Sequence, residues 1–440
     1  MRVRTFPPPL PGIRPAHIRN GPLGEVRRYH MRAVYWFLPW WEIVKRMLAA
    51  LAWPFIAAWR AIFVFTPRCG PSIKRQYGIP YWRQVLAQIR ISLTAMMLPQ
   101  HYYLFELYRP EMRHRYHEYL VRNETKAGVF SILKFYDGRP HVFRNKLNFA
   151  RECARAGLRH VPVLAFFKDG AAAYLAGDGL PPQDLFMKPF NGKGGRNAER
   201  WNWNGTGYIG KDGAILSPDA LLARLAKMSA DGKEDMIVQP ALTNHPAYEG
   251  LSNGVLSTIR VLTCLNEEMK AEVITSAARV AVLPGKVVDN FHAGGVGANI
   301  DLATGLLGPG SNMGLKGESI WHYTHPRTGV PIAGFQVPFW PEVKELATTA
   351  HEKIADRIVV GWDIAVLPDG PCLVEGNGRT SVDLVQRARR GPLGETRLPE
   401  LMAFHLRRMY PEWQKKRLAR RARPGISIGE PAASEVAQSE

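Results

Sequence analysis

Residues 359–380, VVGWDIAVLPDGPCLVEGNGRT, constrain the chain more than any other stretch. Two apolar, β-branched runs, Val359 to Leu367 and Cys372 to Val374, flank a Pro-Asp-Gly-Pro turn signal, which predicts a β-hairpin. Asp363 lies in the first run and Glu375 follows the second. Glu375 and Asn377 stand two apart, so strand alternation puts both on one face. Asp363 joins them only in the right register, because a one-residue slip turns a side chain to the other face. A five-residue connection, Leu367 to Pro371, sets Asp363 opposite Glu375, and a four-residue one sets it opposite Gly376. The odd connection or a bulge is expected. Two carboxylates and an amide carbonyl on adjacent strands then suit Mg²⁺ held partly by protein and partly by substrate phosphates. Taken alone, the pattern fits ordinary charged residues at strand ends equally well. Ile364, Val366, Leu373 and Val374 nevertheless make the strands look buried, and a buried carboxylate needs a cation or hydrogen-bond partners.

Candidate cations lie upstream. In LFMKPFNGKGGRNAERWNW, residues 185–203, an apolar strand carries Lys188 and opens into a turn with Gly192, Lys193, Gly194 and Gly195. Glycines let backbone amides close on an anion, and Lys188 and Lys193 would neutralise phosphate charge; a flexible hairpin tip reads the same way. The turn is not a Walker A motif. Lys146 stands at the first turn of an amphipathic helix, residues 145–159, capped by Asn145, where it can reach a phosphate or serve as surface charge. Gln239 and Leu242 follow a short strand in a segment with the character of an interdomain hinge, where backbone groups can pair with an adenine edge. Arg260 alternates with Ile259 and Val261 on the next strand, so its guanidinium needs an anion, from protein or ligand. Arg279 sits on the strand after that, and residues 288–305 read as a long substrate-binding loop. His322 and His325, on a loop without nearby cysteine, are not expected to hold a metal.

The rest of the chain bounds its surroundings. A net charge of +20 predicts attraction to polyanions: nucleotides, anionic lipid, acidic glycans or nucleic acid. The interleaved RHRYH of residues 113–117 has no nucleic-acid module beside it, so nucleic acid is not the expected partner. Four dispersed cysteines predict no disulfide framework or zinc site and a reducing, cytosolic setting. The first residues run into proline rather than an apolar core, so no secretory signal is expected. Residues 33–65 are aromatic and apolar, with a longest uncharged run, Met47 to Trp59, shorter than the roughly 18 to 20 residues of a spanning helix. Either an interfacial helix on an anionic membrane or helices packing an aromatic face on the protein fits, and Pro39 and Pro54 predict broken helices.

The order of these parts resembles the ATP-grasp superfamily. From about Leu133 to Met409 the chain is most similar to the sugar-transfer-associated ATP-grasp family, through FMKPFNGKGG, VLSTIRVLT, VDNFHAGGVGANIDLATG, HPRTGVPIAGF and VVGWDIAVLPDGPCLVEGNGR. GIPYWRQVL to HYYLFELY resembles that family's helical lead-in. The resemblance implies an α+β protein in which two subdomains clamp ATP, the glycine-rich loop (Gly192, Lys193, Gly194 and Gly195) closing as a lid. It assigns Lys188 and Lys146 to phosphate, Gln239 and Leu242 to the adenine hinge, Arg260 to the triphosphate, and Asp363, Glu375 and Asn377 to Mg²⁺. Many relatives carry an arginine just before the aspartate. Here that place is Gly361-Trp362, so Arg260 or Arg279 must supply the charge.

The implied organisation is a basic, aromatic N-terminal region (1–75), a helical lead-in (76–125), and an α/β portion (126–180). A glycine-rich-loop subdomain (181–245), a C-terminal metal-site subdomain (246–412) and a basic then disordered tail (413–440) follow. The implied activity is that of an ATP- and Mg²⁺-dependent carboxylate–amine ligase acting through an acyl phosphate. Its carboxylate and amine substrates would belong to a cell-envelope or exported-polysaccharide precursor, handled in the cytoplasm at or near the inner face of the membrane. A kinase-like phosphotransferase and a non-catalytic adaptor at a membrane surface are the competing readings.

Overall fold

The computed structural model describes residues 21–35, 38–126, 128–135, 141–190, 197–231, 235–252, 254–282 and 295–421. Within them, fourteen strands form two antiparallel sheets of seven. The first sheet holds β1 (Ala165–Lys168), β2 (Ala171–Leu175), β3 (Leu185–Pro189), β4 (Glu199–Trp203), β5 (Tyr208–Ile209), β6 (Ile215–Leu216) and β7 (Met236–Pro240), in the order β2-β1-β7-β3-β4-β5-β6. The second holds β8 (Thr258–Leu265), β9 (Ala271–Val280), β10 (Val296–Ile300), β11 (Leu307–Ser311), β12 (Trp321–His322), β13 (Val359–Leu367) and β14 (Gly370–Asn377), in the order β12-β11-β10-β9-β8-β13-β14.

The second sheet is covered on both faces, which explains strands of near-continuous apolar sequence. Ile259, Val261, Val360, Trp362 and Ile364 face a core shared with the helix Trp340–Ile354. Leu262, Cys264 and Val359 face the other way, toward the helix Leu398–Arg421 and the N-terminal helix α1 (Pro22–Tyr35). Trp362 is fully buried and donates its indole N–H to Thr263 Oγ1 at 2.9 Å. Thr263 in turn lies 2.7 Å from His351 Nδ1, a histidine whose burial pulls it down to about 4 and so keeps it neutral. One face of the first sheet packs Leu185, Met187, Trp201 and Val238 against Leu221 and Leu225 of the helix Pro218–Asp231.

The sheets meet where chain segments cross between them. Val161 donates to Leu373 O and Leu164 to Val238 O, while His245 donates to Val366 O. Leu242, half-buried, packs with Val161, Ala365 and Cys372. The segment around Gln239 and Leu242, read as an interdomain hinge, leaves β7 and lands on β13.

Three helices form the N-terminal lead-in: α2 (Trp40–Arg60), α3 (Thr66–Tyr77) and α4 (Tyr81–Ala95), with a π-helical turn, Ala61–Phe65, joining the first two. Pro39 precedes α2 as expected, whereas Pro54 lies inside it and does not break it. Trp53 and Ala57, both buried, hold the helix against its neighbours on either side of the proline, which offsets the lost backbone bond. Of the loop read at residues 288–305, 288–294 lie outside the described residues, and Val296–Ile300 departs from expectation: it is an interior strand, paired with β9 and β11. Its VGANI sequence has weak strand propensity, and pairing on both sides decides the outcome. Removing the Trp362 ring by Trp362→Ala should cost about 3–5 kcal/mol, read as a lower urea midpoint with an unchanged m-value.

Candidate active site

The hairpin β13–β14 turns through Pro368 and Asp369, with Leu367 paired to Gly370. That tight connection alone would set Asp363 opposite Val374. A bulge between Asp363 and Ile364 leaves Val374 without a partner and sets Asp363 opposite Glu375. The expected bulge is present, and Asp363, Glu375 and Asn377 share one face. Asp363 also lies opposite Arg260 of β8. Arg279 joins from β9, where its guanidinium donates to Thr258 Oγ1 at 3.2 Å and to Asp363 Oδ1 at 3.0 Å.

Asp363 is buried, and its oxygens are taken. Oδ1 accepts from Arg260 Nε at 2.6 Å and from Arg279, and Oδ2 accepts from Arg260 at 3.0 Å and Asn377 Nδ2 at 3.3 Å. Burial would raise this carboxyl, but Arg260 and then Arg279 overcome it and hold the group below the usual carboxylate range. In this arrangement Asp363 is the anchor of two arginines, and a cation must compete with them for it. Asp363 was expected among the Mg²⁺ ligands, and a cation there would share it with Arg260 and Arg279. Glu375, by contrast, is exposed. Among the described residues no group of three or more His, Cys, Asp or Glu side chains is placed to hold a metal. His325 instead lies 3.2 Å from Ala281 O through Nε2.

Glu375 faces cations from the other sheet. Lys188 on β3 is pulled down to about 8 by burial, with Glu375 raising it and Lys146 lowering it. Lys146, in the first turn of the helix Lys146–Arg155, is lowered by burial and raised by Glu375. The cap read at Asn145 is present, its side chain accepting from Asn148 N at 2.7 Å. Lys146 Nζ donates to Phe190 O at 2.7 Å, which ties this helix to the end of β3. The turn with Gly192, Lys193, Gly194 and Gly195 lies outside the described residues. Gln239 is buried, with its amide donating to Val161 O at 3.4 Å, so its side chain braces the hinge.

Two residues escaped sequence reasoning. Thr380 is buried and accepts from Arg260 NH1 at 3.0 Å, completing the clamp on that guanidinium. Gly361 makes it possible, because a Cβ there would run into Thr380 Oγ1. Where an arginine was expected before the aspartate, a missing side chain admits a threonine, and Arg260 and Arg279 carry the positive charge. Glycines of the EGNG run are set by close approach as well: a Cβ at Gly376 would meet the Phe143 ring, and one at Gly378 the Arg357 side chain.

The donor set is all oxygen: the Glu375 carboxylate, the Asn377 carbonyl and the Asp363 carboxylate. Such a set fits a hard cation that completes its shell with phosphate and water. Lys146, Lys188, Arg260 and Arg279 outnumber the two carboxylates, as a polyphosphate site requires. A family model for sugar-transfer associated ATP-grasp proteins matches residues 133–396.

The chain belongs to the sugar-transfer associated ATP-grasp family.

Its α+β architecture, with helices preceding the two sheets, is the ATP-grasp fold of that family. No curated protein matches the chain. Among solved structures it is similar to D-alanyl-alanine synthetase A from Vibrio cholerae, at 10% identity and a TM-score of 0.34. That alignment covers 61% of this chain and 65% of the synthetase, less than two thirds of the latter.

Replacing Asp363 by asparagine takes the counter-charge from the buried Arg260 and the half-buried Arg279 and should cost about 3–5 kcal/mol. The depressed carboxyl contributes stability fully present above its unfolded value of about 3.9 and lost as pH falls through the lower folded value. Urea midpoints of wild type and Asp363→Asn should therefore differ most at neutral pH and converge below about pH 4.

Proposed function

We propose that this ATP-grasp enzyme is an ATP- and Mg²⁺-dependent ligase that joins a carboxylate to an amine in the cytoplasm. The observation that carries the reading is the pair of arginines anchored on Asp363 beside Glu375 and Asn377, with Lys188 of the first sheet and Lys146 of the helix Lys146–Arg155 on the Glu375 side. Glu375 and Asn377 would hold Mg²⁺, with Asp363 contributing an oxygen where the arginines leave it accessible. A bound metal supplies charge neutralisation on the β- and γ-phosphates.

The chain's own groups do the rest by position. Arg260 is clamped by Asp363 and Thr380, and Arg279 by Asp363 and Thr258, so their donors need no reorganisation when charge develops on a transferring phosphoryl group. Lys188, pulled down to about 8, is still mostly protonated at neutral pH, and a phosphate beside it would raise it again. A substrate carboxylate oxygen attacks the γ-phosphorus, the bond to the bridging oxygen breaks, and ADP leaves. The amine then attacks the acyl carbon of the acyl phosphate, and inorganic phosphate departs with loss of the amine proton to solvent. No protein nucleophile is needed, and Cys69, Cys153, Cys264 and Cys372 are all buried. A polysaccharide or cell-envelope precursor as acceptor rests on the family description alone.

Product analysis tests the reaction type. With the right substrate pair, ADP and free phosphate should form in equal amounts; phosphate retained on the product assigns a phosphotransferase instead. Lys188→Ala and Glu375→Gln should each lower turnover by on the order of a hundredfold or more. Mg²⁺ with ATP at about 100 times its dissociation constant should add roughly 2.7 kcal/mol to the folded state, read by thermal shift. The shift should shrink in Glu375→Gln; an equal shift in both proteins would remove Glu375 from the site.

A further inference from the structure

Helix α2 presents an apolar stripe that no described residue covers. Trp40, Val44, Met47, Leu51, Phe55 and Ile62 recur at helical spacing on one side, with Leu51 72% and Phe55 78% exposed. The opposite side is packed: Trp53, Ala57, Arg60 and Ala61 are buried, and the Trp53 indole donates to Ser92 O of α4 at 2.9 Å. A helix with one side seated on protein and the other bare is not surrounded by lipid. By length and composition the continuous helix Trp40–Tyr77 could cross a membrane, but its longest uncharged run, Met47 to Trp59, is only about 20 Å long, short of a roughly 30 Å hydrocarbon core.

Charge identifies the partner. Residues 38–95 carry eight lysines and arginines and one acid, Glu42. Lys45, Arg68, Lys74, Arg75, Arg83 and Arg90 are exposed on α2, α3 and α4. A second copy of this chain docking by two-fold symmetry would set these cations against their own kind. An anionic surface with an apolar interior meets both features: headgroups for the cations and acyl chains for the stripe. Trp40, Trp59 and Trp82, all exposed, suit the boundary between the two.

We propose that α2 lies in the plane of an anionic lipid bilayer, its stripe below the headgroups, and holds the protein on the membrane without spanning it. This is independent of the reaction proposed above. The test is flotation of the full chain with phosphatidylcholine vesicles, with and without phosphatidylglycerol, for wild type and Met47→Glu/Leu51→Glu/Phe55→Glu. These exposed substitutions leave the packed side untouched, and circular dichroism checks the fold. Wild type should float with the anionic vesicles and less with the neutral ones. The triple variant should partition more than about tenfold less. Wild type staying at the bottom with anionic vesicles, or the variant floating equally well, overturns the proposal. So does a wild-type dimer that the variant dissolves while neither protein floats, which assigns the face to a second copy.

Discussion

Arg260 on β8, Arg279 on β9 and Asn377 on β14 all depend on one buried carboxylate of β13. Without Asp363, Arg260 and Arg279 would be cations within a covered sheet, a state proteins avoid because desolvation costs more than any remaining contact returns. With it, the two guanidinium groups are fixed, Thr380 and Asn377 are drawn in, and β8, β9, β13 and β14 present a single polar face amid apolar surroundings. The same ion cluster is costly for stability and useful for chemistry: it keeps cations rigid where phosphates would arrive. Glu375 stays outside the cluster, open toward Lys146 and Lys188, so the carboxylates have different tasks set by their surroundings rather than by their chemistry.

Much of this was legible because strand alternation and turn counting are strict. Period-two spacing placed Glu375 with Asn377, and the requirement that Asp363 join them forced a bulge, which occurs at Val374. The position of Arg260 between Ile259 and Val261 demanded an anion, and Asp363 is that anion. What sequence could not show was competition: nothing local says that Asp363 is claimed by arginines on two other strands before any metal. Thr380 was invisible for a related reason, since its importance comes from the side chain that Gly361 lacks. The strand Val296–Ile300 was missed because Gly297, Ala298 and Asn299 at its centre are poor strand formers and only neighbours on both sides make it one. Pro54 was over-read because the rule for proline treats a helix in isolation, and α2 is held on both sides of it. The dimensions of the exposed stripe on α2 needed coordinates, since its sequence alone fits either packing or exposure.

A second buried carboxylate, Glu106, binds the helical lead-in to the rest. It adopts a left-handed backbone conformation with φ of 51° and accepts from the Trp321 indole at 2.7 Å. Arg387 lies 3.4 Å from it and Arg390 3.3 Å. Burial alone would raise Glu106, but Arg387 foremost among its partners holds it below the usual carboxylate range. Arg387 is itself buried and also donates to Leu104 O at 3.0 Å.

The stretch that matches the family is therefore not the unit that folds. Cutting at residue 133 would keep Trp321, Arg387 and Arg390 and discard the carboxylate they surround, leaving the buried Arg387 without its counter-charge. Cutting at residue 396 would strip the helix Leu398–Arg421 from one face of the second sheet. The family match ends at those borders; the packing does not. Anyone excising the matched stretch would have to carry the lead-in with it, because Trp53 of α2 is hydrogen-bonded to Ser92 O of α4 and Glu106 to Trp321 of the second sheet.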